Sequence, residues 1–220
     1  MNVSDDLAQL TVRIEPMTTH DLAAVMEIDQ TAFPAPWSTR AYEYELHYNE
    51  MAHYFVARLD TSARQARGVW NWLRRLGRAN PPMAAPLLVG YVGYWLMAGE
   101  AHISAIAVRA GYRGHSYGEL LLAFTLQDAT RRGAHVATLE VRVSNILAQQ
   151  LYLKYNFDKV GMRKAYYADN NEDAFIMTTP PLHSAAYQEK QRRLRVALVM
   201  RLQERADQDA RGARARMQAR

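Results

Sequence analysis

The chain has 220 residues, no cysteine and a formal net charge of +5. That length suits one domain with appendages, and the lack of cysteine excludes disulfides, thiolate metal sites and a cysteine nucleophile while fitting a reducing compartment. The charge is unevenly placed: residues 184–220 sum to +6 and residues 61–86 to +5, leaving the remainder at −6.

The opening MNVSDDLAQL has neither a basic n-region nor an apolar h-region, and no stretch reaches the roughly 18 apolar residues of a membrane span. A cytoplasmic protein without a transmembrane segment is the expectation. The sequon at Asn2 would matter only in a secreted chain.

LTVRIEP alternates at period two and stops at proline, which predicts a first strand. TTHDLAAVMEIDQTAF follows as a helix capped by Thr18 or Thr19, with Leu22, Val25 and Met26 on one apolar face. FPAPWS breaks it, and Ser38 caps a second helix, TRAYEYELHY. AHYFVARL reads as a strand, after which composition changes at Asp60. The stretch 61–86, rich in Arg, Ala and Pro, reads as an insertion carrying a short amphipathic helix with Val69, Trp72 or Leu73, and Leu76 on one side.

LLVGYVGYWLM and AHISAIAVRA form a predicted antiparallel hairpin. SYGELLLAFTLQDATRRGA predicts a helix closed at Gly133, HVATLEVRV a strand, NILAQQLYLKYN a helix, and FDKVGMRKAYY with EDAFIMTTP a final strand pair. The order β-α-α-β-β-β-α-β-α-β-β predicts an α/β fold with a mixed sheet. Residues 1–183 are expected to form one domain, and 184–220 a basic helical tail in which Leu194, Leu198 and Leu202 share a face through about Glu204 before the end frays.

Three places carry chemistry. Residues 113–118 can aim several backbone N–H groups at one point in front of a helix, where the dipole attracts phosphate; alone this is a weak signal. In LEVRV, Thr138, Glu140 and Arg142 share one strand face. On the following helix Asn145 and Tyr152, seven residues apart, lie on one face. Each has a plain alternative: Glu140 as a surface carboxylate paired with Arg142 or Arg163, Tyr152 as a core tyrosine.

In this order the phrases IAVRAGYRGHSYGELLL, LEVRVSNILAQQLYLKYNF and VGMRKAYYADNNEDAFIM resemble the GNAT N-acetyltransferase superfamily. The bacterial ribosomal-protein alanine N-acetyltransferases are the branch they resemble most. The resemblance runs from about Leu10 to Pro180 outside the insertion. It implies a mostly antiparallel sheet of six to seven strands flanked by four helices, with the C-terminal helix as an extension.

The same resemblance implies acetyl-coenzyme A as co-substrate. Backbone groups of Ile106, Ala107 and Val108 would hold the pantetheine arm, the turn Arg113, Gly114, His115, Ser116, Tyr117, Gly118 and Glu119 the pyrophosphate, and Asn145 would reach it from the next helix. Glu140 resembles the family's general base and Tyr152 its general acid, with a backbone N–H of residues 106–108 for the oxyanion. No metal and no covalent enzyme intermediate is required. FPAPWS resembles the substrate-side loop, so Phe33, Trp37, Tyr166 and Tyr167 are expected to line a peptide groove.

The implied activity is acetylation of a protein N-terminus, with alanine of a small-subunit ribosomal protein as the family's substrate. Broad N-terminal or lysine acetylation is an alternative, and an inactive module touching ribosome or RNA through the basic segments is a reading of another class. Two departures stand out. Ser116 replaces a glycine of the family's turn, which suits serine if φ is negative there, and Glu119 would repel a pyrophosphate unless it points away.

Overall fold

The computed structural model describes residues 12–60 and 86–218. The expectations for Asn2 and for the amphipathic helix at Val69, Trp72 and Leu76 lie outside these residues. In chain order the elements are β1 (Val12–Pro16), α1 (Leu22–Ala32), α2 (Thr39–Tyr48), β2 (Ala52–Leu59), β3 (Leu87–Met97) and β4 (Glu100–Val108). There follow α3 (Tyr117–Arg131), β5 (Val136–Arg142), α4 (Ile146–Lys154), β6 (Asp158–Tyr167), β7 (Glu172–Thr178) and α5 (Ala185–Gln218). Short 3₁₀ turns precede α1 and α3.

The strands form a seven-stranded sheet ordered β1-β2-β3-β4-β5-β7-β6. All pairings are antiparallel except that of β4 with β5. This is the mixed, mostly antiparallel α/β sheet that the sequence order implies.

Period-two alternation gives the sheet two apolar faces. Phe55, Ala57 and Leu59 of β2 join α3 and α5 in one core that also buries Leu120, Leu121, Phe124, Tyr187, Leu198 and Leu202. Tyr54 and Val56 face the other way, toward Leu22, Val25 and Ile28 of α1 and Tyr42 of α2. The β2–β3 register slips between Ala57 and Arg58, so that Val89 is an extra residue; Leu88 and Tyr91 thereby fall on the same side.

Glycine is required where chain and ring meet: a Cβ on Gly93 would lie 2.2 Å from the Tyr54 ring. Tyr54 can therefore cross β3 toward Ser104 in the middle of β4. The tail differs from expectation at its end, since α5 continues through the Arg/Ala-rich stretch to Gln218 instead of stopping near Glu204. Ala, Arg, Gln and Met are strong helix formers, and Gly212 is the one break among them.

Candidate active site

The site is built by a failure of strand pairing. β4 and β5 are in parallel register from Glu100↔Val136 to Ile103↔Leu139 and no further. At that point β4 carries an extra residue, Ser104, because its register with β3 passes from Tyr94↔Ile103 to Gly93↔Ala105. The bulge turns β4 away, and the two strands open into a wedge. A cavity of about 630 Å³ fills this wedge, with Ala105 and Ile106 on one wall and Glu140 and Val141 on the other. The edge of β4 from Ser104 to Val108 faces the gap instead of a paired strand, a backbone ladder that an extended ligand can use. Ala107 and Val108, further along the strand, do not line the cavity.

Glu140 enters the cavity from β5 with its side chain only 6% exposed. His102 Nε2 lies 3.0 Å from one carboxylate oxygen and Arg163 Nε 3.0 Å from the other. Burial pushes the Glu140 carboxyl up, but the hydrogen bond and charge of His102 and the charge of Arg163 outweigh it and leave the carboxyl below its ordinary value. Glu140 is therefore an anion at neutral pH. Of the two partners weighed from sequence, Arg163 is the one in contact; Arg142 instead binds Asp169 at 2.7 Å and Glu172 at 3.1 Å.

That second network shapes the rim. Arg142 also lies 3.7 Å above the Tyr167 ring, and Glu172 accepts from Ser144 N–H at 2.7 Å. The β6–β7 turn is thus tied to the start of α4. The Ser144 hydrogen bonds hold the Glu172 carboxyl down to about 2, so these ties persist through mildly acidic pH.

Asn145 and Tyr152, as the helical spacing predicts, both line the cavity. Asn145 is the N-cap of α4, its side-chain oxygen accepting from Ala148 N–H at 3.1 Å, which leaves its amide N–H₂ to donate elsewhere. Burial, with a smaller contribution from Tyr167, pushes the Tyr152 hydroxyl well above its ordinary value. It stays protonated and can donate.

The far wall is aromatic. Phe33 and Trp37 line it from the α1–α2 connection, and Tyr166 and Tyr167 from β6. Trp37 is 37% exposed and packs against Tyr42 and Trp95, with centroids 5.5 and 6.3 Å away. Burial raises the Tyr166 hydroxyl and pushes that of Tyr167 up to about 12.

Residues 113–119 lead into α3 beyond the end of β4. Gly114 has φ +74°, and a Cβ there would meet nothing within 4 Å. Ser116, the helix N-cap, also lies in the left-handed region, at φ +65°, so the condition under which serine suits the site is not met, at a cost of roughly 1 kcal/mol for a residue with a Cβ. Left-handed Gly114 and Ser116, followed by a helix start, form a nest of N–H groups. The space over Gly118 is open as well, Val108 Cγ2 at 3.6 Å being the nearest contact. A phosphate fits there on chemical and steric grounds.

Arg113 braces the loop, donating from Nε to Val108 O at 3.1 Å and from Nη2 to Thr31 O at 3.0 Å. His115 Nδ1 contacts Arg113 O, and its ring stacks on Tyr117. The Glu119 carboxylate points out of the nest to Lys154, Tyr155 and Arg201.

Sequence reasoning missed His102, Trp95 and the Asp29 cluster. His102 lies opposite Thr138 in the paired part of β4 and β5 and meets Glu140 from there, a contact between strands that the period of AHISAI does not reveal. Trp95 stacks on His102 at 5.8 Å. Buried Asp29 accepts from both the Tyr42 and Tyr91 hydroxyls at the base of the cavity. Burial raises its carboxyl despite those two donors.

Among the described residues no group of His, Asp and Glu could hold a metal ion, and no helix is long and apolar enough to cross a membrane. The acetyltransferase (GNAT) family profile matches residues 22–157. A Bacillus subtilis (strain 168) protein, provisionally named a ribosomal protein bS18-alanine N-acetyltransferase, is 35% identical over 74% of this chain and 92% of its own. The Escherichia coli (strain K12) protein named ribosomal protein bS18-alanine N-acetyltransferase is 27% identical over 76% of this chain and 96% of its own. The crystal structure of the Escherichia coli ribosomal-protein-S18-alanine N-acetyltransferase superposes with a TM-score of 0.60 at 26% identity, covering 79% of this chain and 96% of that one. With a splayed β4–β5 wedge and these relatives, the chain belongs to the acetyltransferase (GNAT) family and is an acetyl-CoA-dependent N-acetyltransferase.

Proposed function

We propose that the protein acetylates the α-amine of a protein N-terminus, with the N-terminal alanine of the ribosomal protein bS18 as its substrate, by direct attack within a ternary complex. The observation that carries this is the placement of Glu140 and Tyr152 on walls of one cavity whose open rim is aromatic. The names of the Bacillus and Escherichia relatives support the substrate and, with it, a cytoplasmic site of action.

Acetyl-coenzyme A supplies the thioester, and residues of this chain do the rest. The β4 edge at Ile106, Ala107 and Val108 binds the extended arm through backbone hydrogen bonds, and one N–H there stabilises the oxyanion. Residues 113–119 hold the pyrophosphate, and Asn145 donates from the start of α4. Phe33, Trp37, Tyr166 and Tyr167 orient the peptide end. An α-ammonium has a pKa of about 8, so an ionised Glu140 need capture its proton from only part of the population, directly or through one water. Tyr152, protonated, donates to the departing thiolate.

A second reading has its own observation. Glu140 is engaged on both oxygens and its carboxyl is lowered, so His102 can be the proton acceptor with Glu140 orienting it. His102→Ala then lowers kcat at least as much as Glu140→Gln does.

The test is thiol release from acetyl-coenzyme A with peptides beginning as bS18 does, followed by mass spectrometry to locate the acetyl group. Acetylation confined to the Ala α-amine is expected. Equal turnover on Ser-, Met- and Ala-starting peptides leaves only a broad N-terminal activity, and acetylation of internal lysine overturns the proposal.

A further inference from the structure

Glu119 is an odd residue to find at the mouth of a phosphate nest. It is the third residue of α3, and its carboxylate is only 12% exposed. In a capping box it would fold back onto the N-cap N–H; here it is turned outward and held by two other elements. Lys154 Nζ, in the last turn of α4, lies 2.6 Å from its Oε1, and Tyr155 OH donates to the same oxygen at 3.1 Å. Arg201 Nη2 completes the set at 2.8 Å. Arg201 belongs to α5, 44 residues beyond the end of the family match at residue 157.

We infer that the C-terminal helix is part of the cofactor site: Arg201, with Lys154, holds Glu119 away from the nest and turns the charge beside it from −1 to +1. This rests on the reading that residues 113–119 bind the pyrophosphate. Arg201 is a positioning residue, acting through Glu119 and through its own field. The helix is fixed well enough for that role, since Leu198 and Leu202 on either side of Arg201 are buried in the main core. The side chains of Glu119, Lys154 and Arg201 are between 12% and 39% exposed, so their charges are screened less than those of a free surface pair.

The consequence is a ladder in which affinity follows the summed charge of these three residues and not which residue is lost. Parent protein stands at +1, Arg201→Ala and Lys154→Gln at 0, and Glu119→Gln/Arg201→Ala at +1 again. Calorimetry with acetyl-coenzyme A is the measurement, paired with acetyl-pantetheine, which lacks the pyrophosphate. Arg201→Ala should raise the Kd for acetyl-coenzyme A about tenfold, as one unit charge at close range in a partly screened site does. Lys154→Gln should match it, and Arg201→Lys and the Glu119→Gln/Arg201→Ala double variant should bind within about twofold of the parent. Acetyl-pantetheine should bind all of them alike.

If Arg201→Ala binds like the parent, or the double variant is as weak as Arg201→Ala, the inference falls; the latter result assigns Arg201 to packing alone. Should Arg201→Ala fail to fold, Lys154→Gln carries the same charge and decides in its place. A parent protein that does not distinguish acetyl-coenzyme A from acetyl-pantetheine removes the nest reading itself, an outcome visible before any variant is made.

Discussion

Two glutamates in this molecule look alike and do different work. Glu140 and Glu119 are both largely buried, and each is gripped by two basic side chains. Around Glu140 the grip leaves the carboxylate inside the wedge, facing the space where an amine would arrive. Around Glu119 the grip draws the carboxylate out of the way. The difference lies in which element supplies the partners. His102 comes from β4 at the closed end of the wedge and Arg163 from β6, and between them they keep Glu140 in it. Arg201 and Lys154 come from behind α3, and so pull Glu119 back. Equal numbers of ion pairs say nothing about role; direction does.

That contrast can be broken most directly at Glu140. Glu140→Gln keeps the shape and removes the base, and kcat/KM should fall by roughly 100- to 1,000-fold, with the thermal midpoint little changed. A drop under tenfold in steady-state kinetics would put the base elsewhere.

Next in size is the aromatic wall. Trp37→Ala should raise KM for the peptide about tenfold and leave KM for acetyl-coenzyme A alone, since Trp37 packs on Trp95 and Tyr42 at the open rim. If both constants rise together, the wall belongs to the cofactor half.

A pH profile sharpens the Glu140 grip. Its carboxyl is lowered in the folded protein, so the stabilisation from His102 and Arg163 is present above the ordinary carboxylate range and is lost as pH falls through the lowered value. Removing the hydrogen bond with His102→Ala lets burial prevail, and the acid limb of kcat/KM should move toward higher pH. An unmoved limb together with a collapse of kcat would favour His102 as the acceptor.

The smallest effect belongs to the nest. Ser116→Gly relieves a left-handed residue of its Cβ, against the extra freedom glycine gives the unfolded chain. A net gain of about 0.5 kcal/mol, or a rise of roughly 1–2 °C in Tm, is expected by calorimetry; a fall would mean that the serine hydroxyl is needed where it is.

How much of this could be read from sequence follows the reach of each interaction. Glu140 on a strand face, and Asn145 and Tyr152 on one helical face, are matters of local period, and the structure brings all three to one cavity. The sign of φ at Ser116 was left open because a residue type sets a preference for φ and not its value; the turn into α3 takes the left-handed region there. His102 contacts Glu140 from another strand, and Arg201 reaches Glu119 across 82 positions of chain, so neither leaves a periodic trace. The Ser104 bulge likewise exists only in the register between β3 and β4, and no single strand records it.

The short β4–β5 seam has one further consequence. Four residue pairs join two half-sheets, one of β1 to β4 and one of β5, β7 and β6, and main chain makes the join. The His102–Glu140 contact spans the same seam, but it is one side-chain pair beside four pairs of main chain. Acids, bases and aromatic rings there can be exchanged one at a time without unzipping the halves, so the architecture separates the upkeep of the opening from the choice of what happens in it.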